Sequence, residues 1–228
     1  MNYELEANSS LELMHDPNFD IIKIPAFIES MLKQTEKIIK EQQIDAKQAK
    51  SIIKRIEGMP QYQNYQKQKV KMDTLESLIQ DFDNQNPDCQ NNQKLTEARK
   101  TMVDHVDTLE ENINDYFEIL VQIDRANKNT NNFHKEDWEI TEKLIQLDGE
   151  RREKHDAILA DLNIINQLVK KHIKPDPKKN ITPDTKLFED NEITNENRTA
   201  IGQWACDTVI GEKLKKIIGE AQNIIERN

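Results

Sequence analysis

The stretch Trp138 to Ile173, WEITEKLIQLDGERREKHDAILADLNIINQLVKKHI, limits the fold more than any other part of the chain. Its apolar residues run in two adjoining tracks. One is Ile140, Leu144, Leu147, Ile158, Ile165 and Leu168; the other is Ile145, Leu159, Leu162, Val169 and Ile173. Steps of three and four, or their sums, hold both tracks in phase from end to end, as on one face of a helix. Gly149 is the only breaker, and a lone glycine costs about 1 kcal/mol relative to alanine in a helix interior. Good helix formers follow it. The stretch therefore reads as one helix, roughly 55 Å long at about 1.5 Å per residue, with Gly149 as the place for any kink.

The preceding helix is more regular still. Met102, Val106, Leu109, Ile113, Tyr116, Leu120 and Ile123 are spaced 4, 3, 4, 3, 4, 3. That is a heptad seam, and it should be buried. The polar run Asn127 to Asn132 is short enough to make the two helices antiparallel neighbours. A hairpin centred there would set Arg152 near Leu109.

Earlier punctuation marks three more helices. Pro25 suits a first helical position. Phe27, Ile28, Met31, Leu32, Ile38 and Ile39 then form a stripe that ends near Gln43. Asp45 followed by Gln48 reads as a capping box, and Gly58 with Pro60 stops that second helix. A third runs from about Gln61 to Asp83 and ends in the polar connection Asn84 to Asn92. Residues 1–24 form an irregular lead-in. Residues 174–194, with three prolines and many charges, form a linker. A last helix then carries Ile201, Trp204, Val209, Leu214, Ile217, Ile218, Ala221, Ile224 and Ile225, with Gly202, Gly211 and Gly219 placed for close helix contact or for bends. The expected fold is all-α, an elongated bundle of about six helices with a long antiparallel hairpin. Residues 1–173 make the bundle, 174–194 the linker, and 195–228 a helix packing on the bundle.

Composition removes several classes of function. The 228 residues carry a net charge of −10, which argues against nucleic acid, whose binding needs a basic footprint. Solubility accounts for that charge, and it also suits a basic protein partner. Neither GxGxxG nor GxxxxGK occurs, so no phosphate loop and no cofactor are expected. Cys89 and Cys206 form no CxxC and suggest no disulfide framework, which fits a reducing, cytoplasmic setting. The beginning MNYELEANSS has neither a basic n-region nor a long apolar run, so no signal peptide is expected. No segment approaches the ~18 apolar residues of a membrane span.

The candidate site is the charged middle of the long helix. Between Leu147 and Ile158 the apolar tracks give way to Arg151, Arg152, Lys154, His155 and Asp156. With Arg152 near Leu109, the acids Asp107, Glu110 and Glu111 should receive its guanidinium. The arrangement would be a network of solvated ion pairs, or a polar layer fixing helix register and serving recognition. Metal chemistry finds little support. A di-iron bundle needs Glu-x-x-His, but Arg152 stands three before His155 and Met102 three before His105. His155-Asp156 is also the dipeptide of HD-type phosphohydrolases; His134 or His105, and Asp207, are the residues that could complete such a set. A HEPN-type ribonuclease needs a wider Arg-to-His spacing than Arg151 and Arg152 give.

The run GERREKHDAILADLNIINQLVKKH resembles a stretch in an uncharacterised family of all-helical proteins from Gram-positive bacteria and their mobile elements. Arg151-Arg152, His155-Asp156-Ala157, Leu162-Asn163 and Asn166 carry the resemblance. It implies an all-α fold and a bacterial or phage origin, and nothing about chemistry. Together these readings favour a non-enzymatic protein-interaction module, such as an inhibitor, immunity or accessory protein of a conflict system. Its binding residues would be Arg151, Arg152, His155 and Asp156, with no metal ligands. The alternatives are an HD-type metal-dependent phosphohydrolase, and a structural homo-oligomer joined through the heptad seam.

Overall fold

The computed structural model describes residues 25–41, 44–130, 138–174 and 195–227. These form α1 (Pro25–Lys40), α2 (Ala46–Glu57), α3 (Pro60–Gln85), a single 3-10 turn at Cys89–Asn91, α4 (Gln93–Thr130), α5 (Trp138–His172) and α6 (Asn195–Arg227). No strand occurs among the described residues, and the fold is all-α. The lead-in, His134, and the linker with Leu187 and Phe188 lie outside them, as does Thr194, which the sequence offers as a cap for α6.

Local chemistry sets the helix ends. Pro25 opens α1, and Asp124 of α4 accepts a hydrogen bond from the Ala26 N–H at 3.1 Å. In α2 both bonds of the capping box form, Gln48 N to Asp45 Oδ1 and Asp45 N to Gln48 Oε1, each 2.8 Å. Two otherwise orphaned donors are thereby satisfied. Gly58 ends α2, and Pro60, lacking an N–H, starts α3 where that donor is not needed. α5 passes through Gly149 without a break. A β-carbon built there meets nothing within 4 Å, so the helix stays continuous without requiring glycine.

One hydrophobic core draws on all six helices. Its centre is α6, which packs against α1, α2, α3 and α4. Ile201, Trp204, Ala205, Cys206, Ile210, Leu214, Ile217 and Ala221 are buried along its length. α3 comes so close that a β-carbon on Gly211 would lie 2.0 Å from Cγ of Tyr65, a contact only glycine allows. α4 and α5 are the most extensively packed pair, whereas α5 touches α6 sparsely. The end of α5 is pinned to the end of α3. Gln85 exchanges hydrogen bonds with the Lys174 backbone at 2.8 and 3.2 Å, and the His172 ring lies 5.6 Å from that of Phe82.

The heptad seam of α4 is internal. Met102, Val106, Leu109, Ile113, Tyr116 and Leu120 are all buried. A homo-oligomer built on that seam would have to unpack the core, and that expectation is set aside. No described helix is long and apolar enough to cross a membrane.

Candidate functional site

The charged middle of α5 divides into an inward and an outward line. Leu147, Arg151, Lys154, Ile158, Asp161 and Ile165 are spaced 4, 3, 4, 3, 4 and lie on the buried or half-buried side. Ile145, Gly149, Arg152 and Asp156 are all exposed. Ile145 is 70% exposed, although its track was expected to be buried. The phase predicts one inward face shared by Ile145, Arg152, His155 and Leu159; the structure splits it, with Ile145 and Arg152 in solvent, His155 buried and Leu159 half-buried. Leu147, Ile158 and Ile165 of one track and Leu162 and Val169 of the other are buried, so both tracks are covered in the second half of α5 and Ile145 lies outside that cover.

The hairpin register also differs from expectation. α4 continues to Thr130 and α5 begins at Trp138, so the hairpin centre falls later than residues 127–132. The facing register moves by about two helical turns. Arg152 therefore does not meet Asp107, Glu110 or Glu111, which are exposed on α4. It pairs instead with Asp148 of its own helix, at 2.7 Å. Arg151 grips the same carboxylate, with Nη2 2.7 Å and Nε 3.0 Å from Asp148 Oδ1. The Arg151 hydrogen bond holds the Asp148 carboxyl below its usual range, and Arg152 adds to the effect. Burial opposes the Arg151 charge, but Asp148 and the Tyr116 hydroxyl outweigh it, and its pKa is raised.

Lys154 forms an ion pair across to α4. Its Nζ lies 2.7 Å from Asp115 Oδ2 and 3.1 Å from Asn112 Oδ1. Asn112 in turn donates from Nδ2 to Asp161 Oδ2 at 2.9 Å, and Asp161 Oδ1 lies 2.7 Å from His105 Nδ1. Asp115, Lys154, Asn112, Asp161 and His105 thus form a polar ladder between the two longest helices. Asn112 and Asp161 are buried, so the ladder tolerates little slippage: moving either helix would strand polar groups without partners.

His155 is 5% exposed. Its Nδ1 lies 3.3 Å from Asp156 Oδ1, and its buried Nε2 has no hydrogen-bond partner. Its ring centroid is 6.5 Å from that of Tyr116. Burial pushes the Tyr116 hydroxyl above its usual pKa, while Arg151 pulls it back. Across the same space, a β-carbon on Gly202 of α6 would lie 2.7 Å from the Tyr116 oxygen. Gly202 thus leaves room for that hydroxyl, joining α6 to the α4–α5 pair.

The residues that an HD-type metal site would use are not assembled. The Asp156 side chain is 59% exposed, and His105 is engaged by Asp161. Asp207 sits at the α3–α6 contact with Gln203 and Asn64. Among the described residues, no three or more His, Cys, Asp or Glu side chains could hold a metal ion. The sequence reading also missed Asn112 and Asp161. A signal was present: Ala98, His105, Asn112, Ile119 and Ala126 recur every seven residues beside the heptad seam, and all are buried or half-buried. A second buried track containing Asn and His needs polar partners on the facing helix.

The fold and this site define an all-helical protein whose two longest helices are keyed together by a polar ladder with a buried Asn112–Asp161 pair at its centre. Residues 81–213, more than half of the chain, match a family described as protein of unknown function (DUF3232), and the chain belongs to that family. The match spans the whole α4–α5 pair and its ladder. No curated protein matches the chain, and no solved structure does.

Proposed function

We propose that this chain is a non-catalytic interaction module that binds a protein partner along the outward face of the α5 middle. The observation that supports it is one-sided packing. α5 is held chiefly by α4, and its other side carries Ile145, Arg152 and Asp156 into solvent. An exposed large aliphatic residue flanked by ionic side chains is a recognition pattern, with the apolar group supplying contact area and the charges orientation. Arg151 and His155 stand behind that surface and position it. Arg151 shares Asp148 with Arg152, and His155 contacts Asp156. The net charge of −10 suits a partner with a basic surface. An inhibitor, immunity or accessory protein of a bacterial or phage conflict system is the role that accords with these features.

The test is affinity purification from the native host, with wild type beside Arg152→Glu and Ile145→Asp. A co-purifying protein that binds the purified wild type directly and is lost with both variants supports the reading. A partner retained by both variants refutes this surface. Elemental analysis addresses the phosphohydrolase alternative: stoichiometric metal lost on His155→Ala would overturn the non-catalytic reading.

A further inference from the structure

We propose that copies of this chain dock on one another, α2 of one copy lying antiparallel along α4 of the next. The inner face of α2, Ala49, Ile52 and Ile56, is buried in the core. Its outward row is Lys47, Lys50, Lys54 and Glu57. α4 buries its seam in the core and turns its flank with His105 and Asn112 towards α5, leaving an outward row of Lys100, Asp104, Asp107 and Glu111. Read in opposite directions, the two rows match sign for sign: Lys47 with Glu111, Lys50 with Asp107, Lys54 with Asp104, and Glu57 with Lys100. Both advance in steps of three and four, so each spans about 15–17 Å of helix. The match includes the reversal at the end, where an acid closes the basic row and a lysine closes the acidic one.

All eight side chains are exposed, and none is paired with another described side chain. Elsewhere on the same surface, Lys33, Lys40, Arg99, Arg125 and Lys216 have found carboxylates. The surface uses neither Ile145 nor Arg152 and does not depend on the partner-binding reading above.

Exposed ion pairs are individually weak, so the association is of low affinity and salt-sensitive. Its optimum falls at moderate ionic strength. Near 0.1 M salt the Debye length is about 10 Å, which screens repulsion between whole acidic chains but not contacts at a few ångströms; near 1 M it is about 3 Å. Sedimentation velocity on the full chain tests the proposal. Wild type should self-associate near 0.1 M salt and dissociate near 1 M. Lys50→Glu with Lys54→Glu, and separately Asp104→Lys with Asp107→Lys, should each weaken self-association more than about tenfold. Mixed together, the two reversed proteins should associate again, because the new acids of one face the new lysines of the other. Wild type that stays monomeric near 0.1 M salt at high protein concentration overturns the proposal. So does a mixture that associates no better than its two components.

Discussion

Asp207 should contribute less stability at neutral pH than in mild acid, and Asp207→Asn should remove that contribution's pH dependence. The residue is 2% exposed on α6, and among the described residues no cation is paired with it. Its described partners are two amide donors, Gln203 Nε2 at 2.9 Å and Asn64 Nδ2 at 3.5 Å. Burial raises its pKa from 3.8 to about 6, with the two amides offsetting only part of the rise. The folded form thus holds a proton across a range in which the unfolded chain has released it. Stability from this group is greatest below about pH 4, declines as pH climbs to about 6, and is flat above that. The gap corresponds to about 3 kcal/mol. Asparagine keeps the shape, carries no charge, and leaves both neighbouring amides free to flip towards complementary geometry. Urea denaturation followed by circular dichroism reads the effect. Near pH 7.5 the variant's midpoint should exceed wild type by up to roughly 1 M, and near pH 4 the two should coincide. A variant–wild type difference that is the same at both pH values would refute the assignment.

Four further substitutions probe the packing. Arg152→Ala should cost about 0–1 kcal/mol, because the side chain is 64% exposed and pairs only within its own helix. Asp161→Ala should cost more, about 1–3 kcal/mol, since buried Asn112 loses its acceptor; equal denaturation midpoints for the two variants would show that the ladder holds nothing. Leu109→Ala, at a fully buried seam position, should cost about 2–5 kcal/mol by the same assay. Gly149→Ala should raise the melting temperature through a gain of about 0.5–1 kcal/mol, because the new methyl meets nothing and the helix is continuous there.

What the sequence made legible was local. Pro25, the Asp45–Gln48 box and the Gly58–Pro60 stop act on neighbours a few residues away, and each sits where its chemistry places it. The hairpin was legible as a pairing but not in register. A polar connection shows that a chain turns, not where it turns, and a change of a few residues there moves every facing pair by about two turns. Hence Lys154 rather than Arg152 reaches α4. Which positions of α5 would be covered was equally hidden. Ile145 and Leu147 are alike in composition, and the choice between them rests on a neighbour distant in sequence. The central position of α6 was underestimated for the same reason. Its apolar residues announce a buried helix, but only the assembled structure shows that four others depend on it.

That dependence has a consequence for how the chain emerges during synthesis. α1, α2 and α3 leave the ribosome first, yet α2 and α3 make little contact with each other, and both lean on α6. Translation at about 5–20 residues per second separates the end of α3 from the end of α6 by roughly ten seconds or more. Throughout that interval Ile52, Ile56 and Tyr65 lack the α6 surface that covers them in the finished fold, whereas the stripe of α1 can meet α4 as soon as that helix has emerged. The α4–α5 hairpin can close on its own within that wait, since its contacts are local in sequence. α2 and α3 must instead be held in solution, by their own charges or by a chaperone, until the last helix arrives.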